Sequence, residues 1–167
     1  MPDLLVKLFA LPDARPRLDA LAAAGVVIRR AMPYEKTRVL AWVRERFGAG
    51  WADECDVAFG NRPRSCFVAV EGGALAGFAC HDSTCANFFG PLGVDAPARG
   101  RGIGAALLLS CLHAMAAAGY AYAIVGGVGE SNSGIYRTVA GAIDIEGSAP
   151  GIYRDRLSPT SPPQPTP

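Results

Sequence analysis

Leu92-Gly93-Val94-Asp95-Ala96-Pro97-Ala98-Arg99-Gly100-Arg101-Gly102-Ile103-Gly104 is the stretch on which the reading of this sequence turns. It reads as the end of a strand, a tight turn, and the first turn of a helix nearly stripped of side chains. The leading N–H groups of a helix have no partner inside it, and the aligned peptide dipoles add partial positive charge. Gly100, Gly102 and Gly104 let a bulky anion approach those groups, and Arg99 and Arg101 add formal charge beside them. Together they have the composition of a diphosphate cradle. A Rossmann fingerprint does not fit the glycine spacing, and a P-loop needs a Lys that this region lacks. A glycine-rich surface turn with solvated arginines is the plain alternative that these residues alone leave open.

Downstream, the pattern predicts a helix over residues 102–118, a strand over 120–125, a helix over 133–139 and a last strand pair within 144–154. Residues 103–129 contain no Lys, Arg, Asp or Glu, a stretch long enough to cross a bilayer. Ser110 and His113 interrupt it, however, and Gly119 breaks it, so a buried helix followed by a buried strand is expected rather than a membrane span. Upstream, residues 88–94 read as a strand interrupted by Gly90, Pro91 and Gly93, and Pro91 cannot donate to a ladder. That strand is expected to bulge or splay from a neighbour. Before it, residues 65–70 and 74–79 flank Glu71-Gly72-Gly73, a hairpin turn suited to positive φ. Helices are expected from Pro33, with Val39, Leu40, Val43 and Phe47 on one face, and over residues 51–59. The chain opens with a strand at 4–9, a helix at 17–24 and a strand at 26–30.

The sequence has 167 residues, half of them hydrophobic (50%) and 19% charged, which excludes intrinsic disorder for the bulk of the chain. A single domain is expected over residues 1–157, with 1–25 as an N-terminal strand-helix extension and 158–167 as a Pro-rich, disordered tail. A net charge of +1 gives no general attraction to nucleic acid or anionic lipid. The five cysteines lack a C-x-x-C spacing, which fits a reducing compartment. Asp3 and Lys7 argue against a signal peptide, so a cytoplasmic protein is expected.

Arg99-x-x-Gly102-x-Gly104, behind a Gly/Pro-broken strand and ahead of a long apolar helix, resembles the acetyl-CoA-binding motif of the GNAT superfamily of N-acetyltransferases. The resemblance runs over residues 26–157 and is strongest over 88–142. It implies an α/β fold: a mixed, twisted central sheet with flanking helices and a splayed strand pair that receives the cofactor. It also implies acetyl-CoA as co-substrate and transfer of the acetyl group to a primary amine, on a small molecule or peptide, by direct attack. By resemblance Leu92, Gly93 and Val94 bond the pantetheine arm and polarise the thioester carbonyl. Arg99, Gly100, Arg101, Gly102, Ile103, Gly104, Ala105 and Asn132 complete the cofactor set, and Tyr136 stands where the family's catalytic tyrosine does. The chain departs from the family pattern in three places. Asn132 lies closer to Tyr136 than usual, Gly141 comes one residue late, and Ala142 replaces an aromatic. Relatives often form homodimers.

Amine acetylation needs a neutral amine, donors for the developing oxyanion, and an acid for the departing thiolate. A phenol at ~10 can protonate a thiolate whose thiol titrates near ~8.5, which is the role assigned to Tyr136. Many relatives carry a basic Glu on the central strand, but residues 88–94 contain no carboxylate. Asp82 is then the candidate base, with Asp53, Glu54 and Asp56 or an ordered water as alternatives. Cys80, His81, Asp82 and Cys85 are too few and too poorly spaced for a metal centre, so no metal is expected. His113 and Trp42 read as packing residues, whereas Trp51 and Tyr153 are either packing residues or acceptor contacts. A non-catalytic acyl-CoA-binding regulatory module is the rival reading, kept open by the missing strand carboxylate and the short Asn132–Tyr136 interval.

Overall fold

The computed structural model describes residues 2–129 and 133–157. Asn132 and the Pro-rich tail therefore lie outside the described residues. Among those described, β1 is Leu4–Lys7, α1 Arg15–Ala23, β2 Val26–Arg30, α2 Lys36–Phe47 and α3 Ala49–Gly60. The hairpin follows as β3 (Cys66–Glu71) and β4 (Ala74–His81), then β5 (Phe88–Val94) and α4 (Ile103–Ala117). The chain closes with β6 (Tyr122–Val125), α5 (Ser133–Ala140) and β7 (Ile143–Asp144).

All seven strands join one mixed sheet in the order β2-β3-β4-β5-β6-β1-β7. The pairings are antiparallel except for β5 on β6. The expected α/β class and mixed sheet are what is found. Helices α2 and α3 cover one face over a core that includes Val39, Val43, Cys55, Val68 and Phe78. The other face carries α4 with α1, over Leu4, Val26, Phe89, Leu107, Leu108 and Leu112. Helix α4 buries nine of its residues, which accounts for a charge-free sequence: a helix apolar all round is a buried one. No helix among the described residues is long and apolar enough to cross a membrane.

Two expectations need correction. The opening strand ends at Lys7, where Leu8–Ala10 turns into a 3-10 segment. The N-terminal strand and helix are present as β1 and α1, and β1 lies inside the sheet between β6 and β7. The last strand pair is reduced to the two residues of β7. Gly147 and Gly151 there take positive φ and Pro150 has no N–H, so the chain turns and residues Gly151–Tyr153 form a 3-10 segment instead.

Candidate active-site cleft

Strand β5 pairs with β6 only at Phe88↔Ile124 and Phe89↔Val125. Gly90, at φ +130°, and Pro91 then end the ladder on that side, while β5 stays bonded to β4 as far as Val94. The two parallel strands therefore part, as the Gly/Pro interruption predicts, and a cleft of about 1300 Å³ opens between them.

The register settles which groups face the opening. Asp95 N–H donates to Ala76 on β4, and successive residues of an antiparallel strand alternate their bonding direction. Gly93, opposite Phe78, therefore also bonds β4, and Leu92 and Val94 turn their N–H and C=O groups to the open side. The Val94 carbonyl accepts from Arg99 Nε at 3.1 Å, which holds Arg99 at the cleft. Gly102, at φ +85°, caps α4 without a side-chain hydrogen bond, and Gly104 in the first turn lines the cleft.

The structure sorts the expected cofactor residues into two groups. Leu92, Gly93, Val94, Arg99 and Gly104 line the cleft. Gly100, Arg101, Gly102, Ile103 and Ala105 are not on its wall; Ile103 and Ala105 are buried in the core. Arg101 has a protein partner of its own. Its guanidinium forks onto Glu71 at 2.7 and 2.9 Å and holds that carboxyl below its usual range. The hairpin turn thus occupies the cation that the glycine motif seemed to offer.

Tyr136, on α5, lines the cleft and meets the Phe89 ring edge-on at 6.0 Å. Burial pushes its phenol up to about 12, because an apolar wall penalises the phenolate. The hydroxyl therefore keeps its proton throughout the neutral range. Asp82 is not brought to the cleft. Its carboxylate accepts from the Asn87 N–H at 2.7 Å and meets His81 Nδ1 at 2.8 Å, so it organises the loop ahead of β5. Burial lowers the His81 pKa and outweighs the opposing pull of Asp82.

The carboxylate that does line the cleft is Glu54, on α3, which accepts from Thr84 Oγ1 at 2.7 Å. Its neighbours are engaged elsewhere: Asp53 pairs with Arg44 and Asp56 with Lys36. Helical spacing turns Glu54 away from both. Trp51 also lines the cleft, 38% exposed and stacked on Phe47 at 5.4 Å, while Trp42 packs against Phe47 and Phe78. Tyr153 reaches the cleft from its 3-10 segment, where Gly126 makes room; a Cβ there would lie 2.7 Å from the phenol oxygen. His113 is exposed and meets the Pro12 carbonyl at 2.9 Å, so it is not a core residue. No cysteine lines the cleft.

The fold is similar to that of a GCN5-related N-acetyltransferase from Sphaerobacter thermophilus, at 21% identity and a TM-score of 0.65. That match covers 86% of this chain and 48% of the other. It is also similar to the GCN5-related glucosamine N-acetyltransferase region of a fungal multi-domain β-N-acetylglucosaminidase. There the identity is 18% and the TM-score 0.67, over 86% of this chain and 19% of that one. The chain thus spans about half of the one and a fifth of the other. A GNAT acetyltransferase from Brucella melitensis, solved with acetyl-CoA, matches at 19% identity and a TM-score of 0.52, over 68% of this chain and 80% of that one. No curated protein of similar sequence was found. The acetyltransferase (GNAT) family profile matches residues 36–137, more than half of the chain, and the chain belongs to that family.

Proposed function

We propose that this protein transfers the acetyl group of acetyl-CoA to a primary amine by direct attack. The observation that carries the reading is the pair of N–H groups, Leu92 and Val94, turned into the splay of a cleft that also holds Tyr136. Acetyl-CoA supplies the activated thioester when bound. The free N–H groups suit the pantetheine amides and the negative charge that develops on the carbonyl oxygen. The helix N-terminus with Arg99 suits the diphosphate. Tyr136, protonated at neutral pH, holds a proton for the departing sulfur.

The base moves from Asp82 to the opposite wall. Glu54 can draw a cationic amine into the cleft and accept its proton, directly or through a water. Trp51 and Tyr153 flank that end and suit the apolar part of an acceptor. With no thiol on the cleft wall, a covalent acetyl-enzyme step has no nucleophile there among the described cysteines. Thiol release from acetyl-CoA, followed against a library of primary amines, tests the proposal. Release that depends on an amine supports it. CoA binding without release under any amine would favour the non-catalytic module.

A further inference from the structure

All five cysteines are free thiols, and three of them converge where the sequence gives no sign of it. Cys66 and Cys80 are directly opposite one another in the β3–β4 ladder, so their side chains share a face. Cys55 descends on them from α3, with its Sγ 3.7 Å from that of Cys66. The three sulfurs lie within 4.8 Å of one another, and all three residues are fully buried. His81, next in sequence to Cys80, points to the opposite face of the sheet and packs toward Phe67. The cluster is therefore made of thiols alone.

We propose that Cys55, Cys66 and Cys80 form a binding site for one trivalent thiophilic ion of the arsenite class, arsenic(III) or antimony(III). Size admits it. A triangle with sides of 3.7 to 4.8 Å has its centre ~2.1–2.8 Å from each corner, which spans the ~2.3 Å length of a zinc–thiolate bond. Charge and coordination number choose among the ions. Ala31, Val39, Val43, Val68 and Phe78 share the thiols' buried apolar cluster, and among the described residues no His, Asp, Glu or further Cys joins the three. Zinc bound there would lack its usual fourth ligand and leave a net negative charge in an apolar core. Three thiolates on a trivalent ion are neutral.

The exchange balances without a redox partner. Three As–S bonds form and three As–O bonds of the trihydroxide break; each thiol proton leaves with one hydroxide as water. Cys55 follows Glu54 in α3, so a bound ion would tie the cleft-lining helix to β3 and β4.

The test uses the reduced full chain and arsenite itself. Native mass spectrometry should show one arsenic per chain with the loss of three protons, which separates three-thiol from two-thiol binding. Cys55→Ala, Cys66→Ala and Cys80→Ala should each abolish that species and weaken binding by at least about tenfold, since even an outer-shell partner of a metal costs that much. Cys85→Ser, at an exposed thiol, should change nothing. Circular dichroism identifies any variant that fails to fold, and the remaining two single variants then decide. Refolding in the presence of arsenite removes access to the core as an obstacle. No adduct even then, a two-proton adduct, or a three-proton adduct that survives Cys66→Ala would overturn the assignment.

Discussion

Gly93→Ala puts a single methyl group where the structure has no room for it. A Cβ at Gly93 would lie 2.7 Å from Phe47 Cζ, 2.8 Å from Phe78 Cε1 and 2.9 Å from Phe47 Cε1. Neither ring can swing clear, because Phe47 is held between Trp42, Trp51 and Phe78 at centroid distances of 5.6, 5.4 and 5.6 Å. The strand cannot retreat easily either, since Gly93 is paired with Phe78 on β4. Overpacking of this kind costs about 1–3 kcal/mol. With m of ~2 kcal/mol/M for a domain of this size, the urea midpoint should fall by about 0.5–1.5 M. The loss should reach activity as well. Leu92 and Val94 flank the added methyl, and displacing a positioned group by ~1 Å can cost about 10²-fold in rate. Urea denaturation followed by circular dichroism, paired with thiol release at saturating acetyl-CoA, measures both. Phe47→Leu in the same chain should recover much of the lost stability by emptying the contested space. A Gly93→Ala protein as stable as the parent, or a double variant no better than the single, would refute the packing account.

Tyr136→Phe should lower kcat by about 10²–10⁴ while leaving CoA affinity unchanged, as calorimetry and steady-state rates can show together. Because burial raises that phenol to about 12, the acid should not be lost between pH 7 and 10. Stability responds at higher pH: the native chain binds more protons than the unfolded one from ~10 up to the folded value, so stability falls as pH rises through that window, and alkaline titration of the folded chain checks it. Gly104→Val should weaken CoA binding at least tenfold, about 1.4 kcal/mol, because its added methyls enter the cleft beside Ile135 and Val94; calorimetry of a well-folded variant with unchanged affinity would remove Gly104 from the site. Arg99→Ala should weaken CoA binding, whereas Arg101→Ala should not, since Arg101 is spent on Glu71; equal losses in a side-by-side titration would restore Arg101 to the cradle.

Local chemistry was legible in the sequence wherever it determined local structure. Gly72-Gly73 placed the hairpin, Gly90-Pro91 placed the splay, and the charge-free run placed α4. The contents of the cleft were only partly legible, because its walls come from segments far apart in the chain. Glu54 faces the cleft only because α3 turns it toward Thr84, while Asp53 and Asp56 find cations on α2. Arg101 pairs with Glu71, 30 residues earlier, which no reading of the glycine motif alone can anticipate. A carboxylate near the hairpin suggested Asp82 as a base, and its tie to the Asn87 N–H is the sort of loop-internal bond that sequence does not show. The three thiols meet through strand register and helix docking, neither of which has a short sequence signature.

The place of β1 has a consequence for how the chain assembles during synthesis. Leu4–Lys7 is synthesised before the other described strands, yet its neighbours in the sheet are Tyr122–Val125 and Ile143–Asp144. Strand β1 must therefore wait for β6 and β7. Until they arrive, β2 to β5 can form their antiparallel ladder, but the cleft lacks the wall that β6 supplies. Such long-range closure slows folding and leaves unpaired strand edges exposed meanwhile. The cleft is thus completed in the same event that joins the two ends of the described chain.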